Sequence, residues 1–433
     1  MFREVPAVKD LIKKCVRCGQ CRSVCPIFSE IRIEGAAPRA HVFLVQLLRD
    51  GELKPSSQLA QRASRCLLCQ ACSKNCPSGI PVDQMVAAAR AHLVDYGDSS
   101  LKRFLLRNLW TDSTSLRFIG FFLWGYQASG LRSLARRAGL TRFLPSTLSR
   151  AEKLLSPVPH PPAAKLPAVN PARGSRRLRV GYFLGCATSL FYPSVARATV
   201  EVLTRNGCEV VIPRRLNCCG MPHLANGEAE TARQVMQNNV EAFLEAGVDT
   251  VVTDCASCSS MLEGHYFDQL FAGNPFLEKA KEFSRKVYDL TAFLADKLEL
   301  SQEFGQLPAT SVTYHDPCHS IHGQGIKKQP RKLLQMLPGV KFVENDSAGQ
   351  CCGGAGTFSM NHYDLSMRIL NRKIEAIRQT GASAVATSCP ACSMQLRHGM
   401  EQHGLNLTIL HPVELLARSY RIAEKTTAAS KTG

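Results

Sequence analysis

The chain has 433 residues, 45% hydrophobic, 20% charged and 7% aromatic, a balance that excludes a disordered or fibrous protein and allows two or three cored domains. No apolar run approaches the roughly 18 residues of a membrane span, and the longest, "FIGFFLWGY", covers only 118–126. Two quantities stand apart from the ordinary: a net charge of +18 and a count of 19 cysteines.

The opening "MFREVPAVKDLIKK" is charged and lacks the apolar stretch of a secretory signal. A cytoplasmic, reducing location is therefore expected, where thiols serve metals or catalysis and not structural bridges. Two tight groups follow: "CVRCGQCRSVCP" with Cys15, Cys18, Cys21 and Cys25, and "CLLCQACSKNCP" with Cys66, Cys69, Cys72 and Cys76. Both obey C-x2-C-x2-C-x3-C-P, the bacterial ferredoxin run for a [4Fe–4S] cube, whose fourth cysteine serves the other cube in two-cluster proteins. That rule groups Cys15, Cys18, Cys21 and Cys76 on one cluster, and Cys66, Cys69, Cys72 and Cys25 on the second. Zinc also binds C-x2-C pairs, but it requires neither the third cysteine nor the trailing proline, twice. Between the motifs, "PRAHVFLVQLLRDG" (38–51) predicts a helix ending at Gly51. Residues 1–98 read as a helical two-cluster ferredoxin domain.

Residues 99–155 read as basic helices, with Phe104, Leu105, Leu109, Leu131 and Leu134 at helical spacing. From 101 to 180 there are fifteen Lys or Arg against two acids, Asp112 and Glu152. Such an excess points to an anionic membrane surface or an acidic partner. No aromatic-interleaved nucleic-acid motif accompanies it, so no nucleic acid is expected. Residues 156–177 are proline-rich without helix or strand pattern, and read as an extended linker.

After the linker the chain repeats itself over 178–305 and 306–425. The first copy carries Cys186, Cys218, Cys219, Cys255 and Cys258; the second carries Cys318, Cys351, Cys352, Cys389 and Cys392. Matching cysteines lie 132 to 134 residues apart, the mark of a duplication. Strand and helix patterns alternate in each copy, from "RLRVGYFLGC" and "SVTYHDPC" onward, so each reads as a parallel α/β unit with cysteines in loops after strands. The fold class expected is α+β and multidomain.

Five thiols per copy exceed the four of a zinc site or a cubane, and adjacent cysteines can serve different irons of an unusual cluster. The glycines of "NCCGMP" and "CCGGAGTF" let the backbone approach such a core. With the ferredoxin pair in front, this pattern resembles the CCG-domain family: the iron–sulfur subunit of glycolate oxidase, and the related catalytic subunit of heterodisulfide reductase. "RCLLCQACSKNCPSG", "HDPCHSIHGQ" and "CCGGAGTFSMNHYDLSMRILNRK" carry the likeness to the former. The complete C-x2-C pairs in "DCASCSS" and "SCPACSMQ" match the latter, which holds two non-cubane clusters between which a disulfide is reduced.

The resemblance implies two [4Fe–4S] clusters plus one or two CCG-type clusters. It also implies an FAD-containing dehydrogenase partner that oxidises glycolate or D-lactate, and a quinone or membrane acceptor reached peripherally on the cytoplasmic face of the inner membrane. No GxGxxG or P-loop appears, so no flavin is expected in this chain, and no catalytic residue is assigned. Cys208, in a strand pattern, reads as a buried hydrophobe. His223, His315, His319 and His322 read as packing residues or as hydrogen bonders near a cluster.

Overall fold

In the computed structural model, the described residues are 11–97, 100–111, 113–144, 146–159, 166–216 and 218–432. The first ten residues, part of the stretch where no secretory signal is expected, and residues 160–165 of the linker lie outside them.

Helix α1 (Pro38–Asp50) opens with proline at its first position and ends at Gly51, whose φ of 78° brings its N–H to the carbonyls of Leu47 and Leu48. This is the helix the sequence predicts. Its Val42 and Val45 share a core with Ile80 and with Met85, Val86 and Ala89 of α2 (Val82–His92). The basic segment forms α3 (Ser100–Asn108), α4 (Ser113–Ala128), α5 (Leu131–Arg137) and α6 (Ser146–Leu154). The helices stand where the basic segment predicts them. Leu106 and Leu116 are the buried residues, while Phe104, Leu105, Leu131 and Leu134 face outward, with 42% exposure at Leu105 and 62% at Leu134. Apolar residues occur on both faces of these helices, and periodicity alone does not say which face the body covers.

The linker also departs from its reading. Val169 and Asn170 form a strand, β1 (Val169–Asn170), confined to two residues between Pro167 and Pro171. It pairs antiparallel with the edge of the first sheet, where proline is tolerated. That sheet runs β1-β3-β2-β4-β5, with β2 (Leu178–Tyr182), β3 (Cys208–Val211), β4 (Thr250–Thr253) and β5 (Val287–Asp289). The second runs β7-β6-β8-β9, with β6 (Thr310–Tyr314), β7 (Val340–Phe342), β8 (Ala384–Ala386) and β9 (Thr408–Leu410). Apart from β1 the two orders are the same and all pairs are parallel, as right-handed crossovers through helices require.

The copies share their interior. Val251 and Val385 face one core and Val252, Ala384 and Ala386 face the other, so each core holds residues of both sheets. Helix α7 (Pro193–Arg205) of the first copy packs on α8 (Pro412–Thr432), the last helix of the second. Tyr420 of α8 stacks on Phe304 and donates to the Ser301 carbonyl at 2.9 Å.

The ferredoxin domain is bound to this body by buried polar contacts. Asp83, 1% exposed, accepts from Ser73 at 2.5 Å, from His265 at 2.7 Å and from the Tyr266 hydroxyl at 3.1 Å. Arg90 donates to the carbonyls of Ala63 at 2.9 Å and Ala225 at 2.7 Å, joining the two parts through one guanidinium. Glu228, buried, holds Arg103 at 3.1 Å and Arg107 at 2.6 Å and so pins α3 to the first copy.

Candidate iron–sulfur site

Both ferredoxin motifs fold into the same turn. Arg17 (φ 55°) and Gly19 (φ 85°) are left-handed in the first, and Leu68 (φ 52°) and Gln70 (φ 65°) in the second. Three sulfurs are thereby turned to a common side. A non-glycine residue in this region is strained; Gln70 is held there by its amide donating to Ser260 Oγ at 3.3 Å. Cys25 caps the helix Pro26–Ile31, and its sulfur accepts from the Phe28 N–H at 3.4 Å. The Leu68 N–H reaches Cys66 Sγ at the same length. Such amide donors are what a cluster thiolate uses.

The sulfurs group in space. Cys15, Cys18, Cys21 and Cys76 line one small cavity beneath α1. Burial pushes the Cys25 thiol up to about 11, with Cys66 adding to the effect. Burial likewise raises Cys72, followed by the charges of Cys66 and Cys25. Thiols that resist ionisation for want of a counter-charge are suited to a bound cation, which makes them thiolates outright.

The ten later cysteines form one continuous succession. Cys186 Sγ lies 3.9 Å from Cys218 Sγ. Beyond it, interacting thiols run from Cys218 to Cys219, Cys258 and Cys255, cross to Cys389, and return through Cys392, Cys352 and Cys351 to Cys318. The order reads the same from either end, with the centre between Cys255 and Cys389. There the Ala256 N–H donates to the Ser388 carbonyl at 3.0 Å. The Cys218 thiol holds Cys219 well below the usual thiol range, while the Cys318 thiol leads in pushing Cys351 up to about 12. Nine of the ten line a single cavity of about 360 Å³, Cys218 being the exception.

Glycine is required beside each cysteine pair. Gly220 has φ 89° and Gly353 φ 79°, and a Cβ on Gly353 would stand 2.6 Å from the Ser366 carbonyl oxygen. The backbone after each pair thus runs directly against the following helix: α-helix Ala229–Glu245 in one copy, Tyr363–Gln379 in the other.

The two parts meet at the sulfurs. Cys25 and Cys69 share an apolar cluster with Cys318 and Cys351, and the Cys351 charge helps to raise Cys69 after burial. His319 bridges the seam, its Nε2 on the Leu68 carbonyl at 3.0 Å and its Nδ1 on Ser257 Oγ at 3.1 Å. Ser257 Oγ in turn lies 3.9 Å from Cys389 Sγ. His223 is farther out, its Nε2 on the Leu106 carbonyl at 3.0 Å, and His322 is partly buried in the turn after Cys318. A nitrogen of His315 and the sulfurs of Cys352 and Cys392 all lie within 4.8 Å of one another. Cys208 belongs to neither five-cysteine set: it is fully buried in β3 among hydrophobic neighbours, its thiol pushed up to about 11 by burial. The sequence reading missed Asp83, Arg90 and Ser257. Their partners are distant in the chain, so no local pattern announces them.

The donor set is thiolate-rich, buried and served by backbone N–H groups, which fits iron–sulfur groups. The comparisons agree. Family models match the 4Fe-4S dicluster domain over residues 11–80, the linker region of the glycolate oxidase iron-sulfur subunit over 97–155, and the cysteine-rich CCG domain over 180–263 and 312–397. The basic segment is therefore a recognisable part of the architecture. The "Probable glycolate oxidase iron-sulfur subunit" of Bacillus subtilis (strain 168) is 31% identical over 93% of this chain and 92% of its own. A "Fumarate reductase (CoM/CoB)" subunit of Methanothermobacter marburgensis is 28% identical over 94% of this chain and 72% of its own. A "Lactate utilization protein A" of Geobacillus thermodenitrificans is 35% identical over 55% of this chain and 98% of its own. A dicluster domain of two cysteine motifs, the intervening helices and a duplicated five-cysteine unit, matched along nearly the whole length, mean that this chain belongs to the glycolate oxidase iron-sulfur subunit family.

Proposed function

We propose that this chain is the electron-transfer subunit of an FAD-linked dehydrogenase for a 2-hydroxy acid such as glycolate or D-lactate, passing electrons from a flavoprotein partner to a quinone-type acceptor. The observation that carries this is the unbroken approach of sulfurs from the ferredoxin turns, through Cys69 and Cys351, into the ten-thiol succession. Cys15, Cys18, Cys21 and Cys76 hold one [4Fe–4S] cluster, and Cys66, Cys69, Cys72 and Cys25 the other. Cys186, Cys218, Cys219, Cys255 and Cys258 hold one CCG-type centre, with Cys318, Cys351, Cys352, Cys389 and Cys392 holding the second. Bound iron–sulfur groups supply one-electron carriers. The chain's part is to hold them dry and close, while the partner binds FAD and the hydroxy acid.

A second reading is favoured by the completeness of both five-cysteine sets around one cavity. In it the later cysteines reduce a disulfide, as in a heterodisulfide reductase. One assay separates the two. In the purified complex, glycolate or D-lactate should reduce the flavin and then the acceptor, and Cys352→Ser should stop the second event alone. Robust viologen-driven disulfide reduction by the isolated, iron-loaded chain would overturn the relay.

For the acceptor side we propose peripheral contact with the anionic cytoplasmic face of the inner membrane. Among the described residues no helix is long and apolar enough to cross a membrane. Helix α4 instead presents Phe118, Phe121 and Phe122, 54% to 72% exposed, on one face beside Arg117. Aromatic side chains with cations are the composition of an interfacial helix. Arg132 and Arg136, two of the basic residues of this segment, are paired to Glu152 at 3.0 Å each, and contribute less. Replacing Phe118 and Phe122 by Asp should abolish flotation with phosphatidylglycerol vesicles; retained flotation would remove the idea.

A further inference from the structure

The duplication gives each residue of one copy a counterpart in the other, and the copies differ sharply beside their first cysteines. "YHDPC" ending at Cys318 stands where the first copy has "YFLGC" ending at Cys186, so His315 occupies the place of Phe183. The backbones agree: His315 N–H donates to the Ala386 carbonyl at 2.9 Å, and Phe183 N–H to the Val252 carbonyl at 2.8 Å. Phe183 is fully buried against Phe243, as an apolar ring should be. His315 is just as enclosed, at 1% exposure, yet neither ring nitrogen meets an oxygen or nitrogen partner, and the group its ring interacts with is the Cys352 thiol. Buried polar atoms are almost always satisfied, and a ring nitrogen whose neighbours are themselves ligand sulfurs is placed to share their metal. One nitrogen lies within 4.8 Å of both Cys352 Sγ and Cys392 Sγ.

We propose that His315 is a nitrogen donor to the metal centre of the second copy, so that the two copies hold centres with different donor sets: sulfur alone in the first, sulfur and imidazole in the second. Imidazole is a normal ligand of iron, and where His315 takes the coordination place of one of the five thiolates it removes a negative charge and raises the potential of the centre. The second centre is then the better electron acceptor of the pair, and it is the one beside Cys69. Phe183 cannot ligate, so the difference is built into the sequence and needs no partner.

The inference rests on the reading that the second copy holds an iron–sulfur centre, and the two can fail separately. Anaerobically purified full-length protein, with and without 15N-histidine, is examined by pulsed EPR alongside its metal content. The expected result is a directly bonded nitrogen coupling that changes with the label and disappears in His315→Phe, a substitution whose bulk the fold already accepts at Phe183. Release of metal to a chelator should become at least tenfold faster in that variant, with ferredoxin iron unaffected. A second copy that binds metal but shows no such coupling, or one that survives His315→Phe, overturns the inference alone. Where no centre is paramagnetic, the chelator decides: an unchanged release rate overturns it. Absence of metal from the second copy overturns both readings.

Discussion

Removing the Asp83 carboxylate tests how firmly the ferredoxin domain is bound to the rest. Asp83→Ala leaves the enclosed Tyr266 hydroxyl without its acceptor, at about 1–3 kcal/mol, and the half-buried Ser73 hydroxyl at the low end of that range. His265, whose side chain is 24% exposed, recovers water and adds little. The expected loss is therefore about 2–4 kcal/mol, a large share of a typical domain's stability. Asp83→Asn keeps shape and an acceptor oxygen and should cost about 1–2 kcal/mol. Burial raises the Asp83 carboxyl, but hydrogen bonds from His265, Ser73 and Tyr266 outweigh it and hold the native value below the usual range. A depressed acid stabilises the native state above its unfolded value of about 3.9, and this contribution is lost as pH falls through the native value. Denaturant unfolding, followed anaerobically by cluster absorbance and by the fluorescence of Trp110 and Trp124, supplies the measurement. An Asp83→Ala midpoint equal to wild type at pH 7 would refute the seam.

Cys76→Ser should lower iron content by about four atoms and spare the cluster of Cys66, Cys69 and Cys72; loss confined to that cluster instead would reverse the crossed assignment. Gly353→Ala should destabilise by on the order of 3 kcal/mol or prevent the second centre from assembling, because positive φ and the Ser366 carbonyl both oppose a methyl group, and iron analysis with thermal melting reads either. Cys208→Ala should leave iron content unchanged and cost about 1 kcal/mol as a small core truncation. Protease cleavage within 156–177 should give two fragments that co-elute on a sizing column, since Asp83, Arg90 and Glu228 bridge them; separate elution would restore the picture of independent halves.

What the sequence revealed, it revealed through spacing. Ferredoxin turns are local, so their cysteine intervals and trailing prolines state the geometry directly. The duplicated sheets were visible because parallel strands buried on both faces are short apolar runs, such as "TVVT" at 250–253, followed by a cysteine loop. The two-residue β1 could not be read, because it exists only through pairing with Val210 and Val211 some 40 residues away. The outward face of α4 and the sulfur neighbours of the His315 ring were hidden for a related reason: each depends on what lies opposite in space. Aligning the two copies residue by residue would have exposed the exchange of Phe183 for His315 without any coordinates.

The reversible order of the ten later sulfurs has a directional consequence. A body built from two like halves has two like ends, yet the ferredoxin cysteines Cys25 and Cys69 lie with Cys318 and Cys351 at one of them, while α2 packs on the first copy through Arg90 and Ala225. At the opposite end, the short helix that begins at Cys186 is packed by α4, the helix whose phenylalanines face outward. A symmetric row of sulfurs has thereby been given a front and a back by what was added to each terminus. One terminus meets the ferredoxin cysteines, and the other lies under a helix whose outer face is apolar and positively charged.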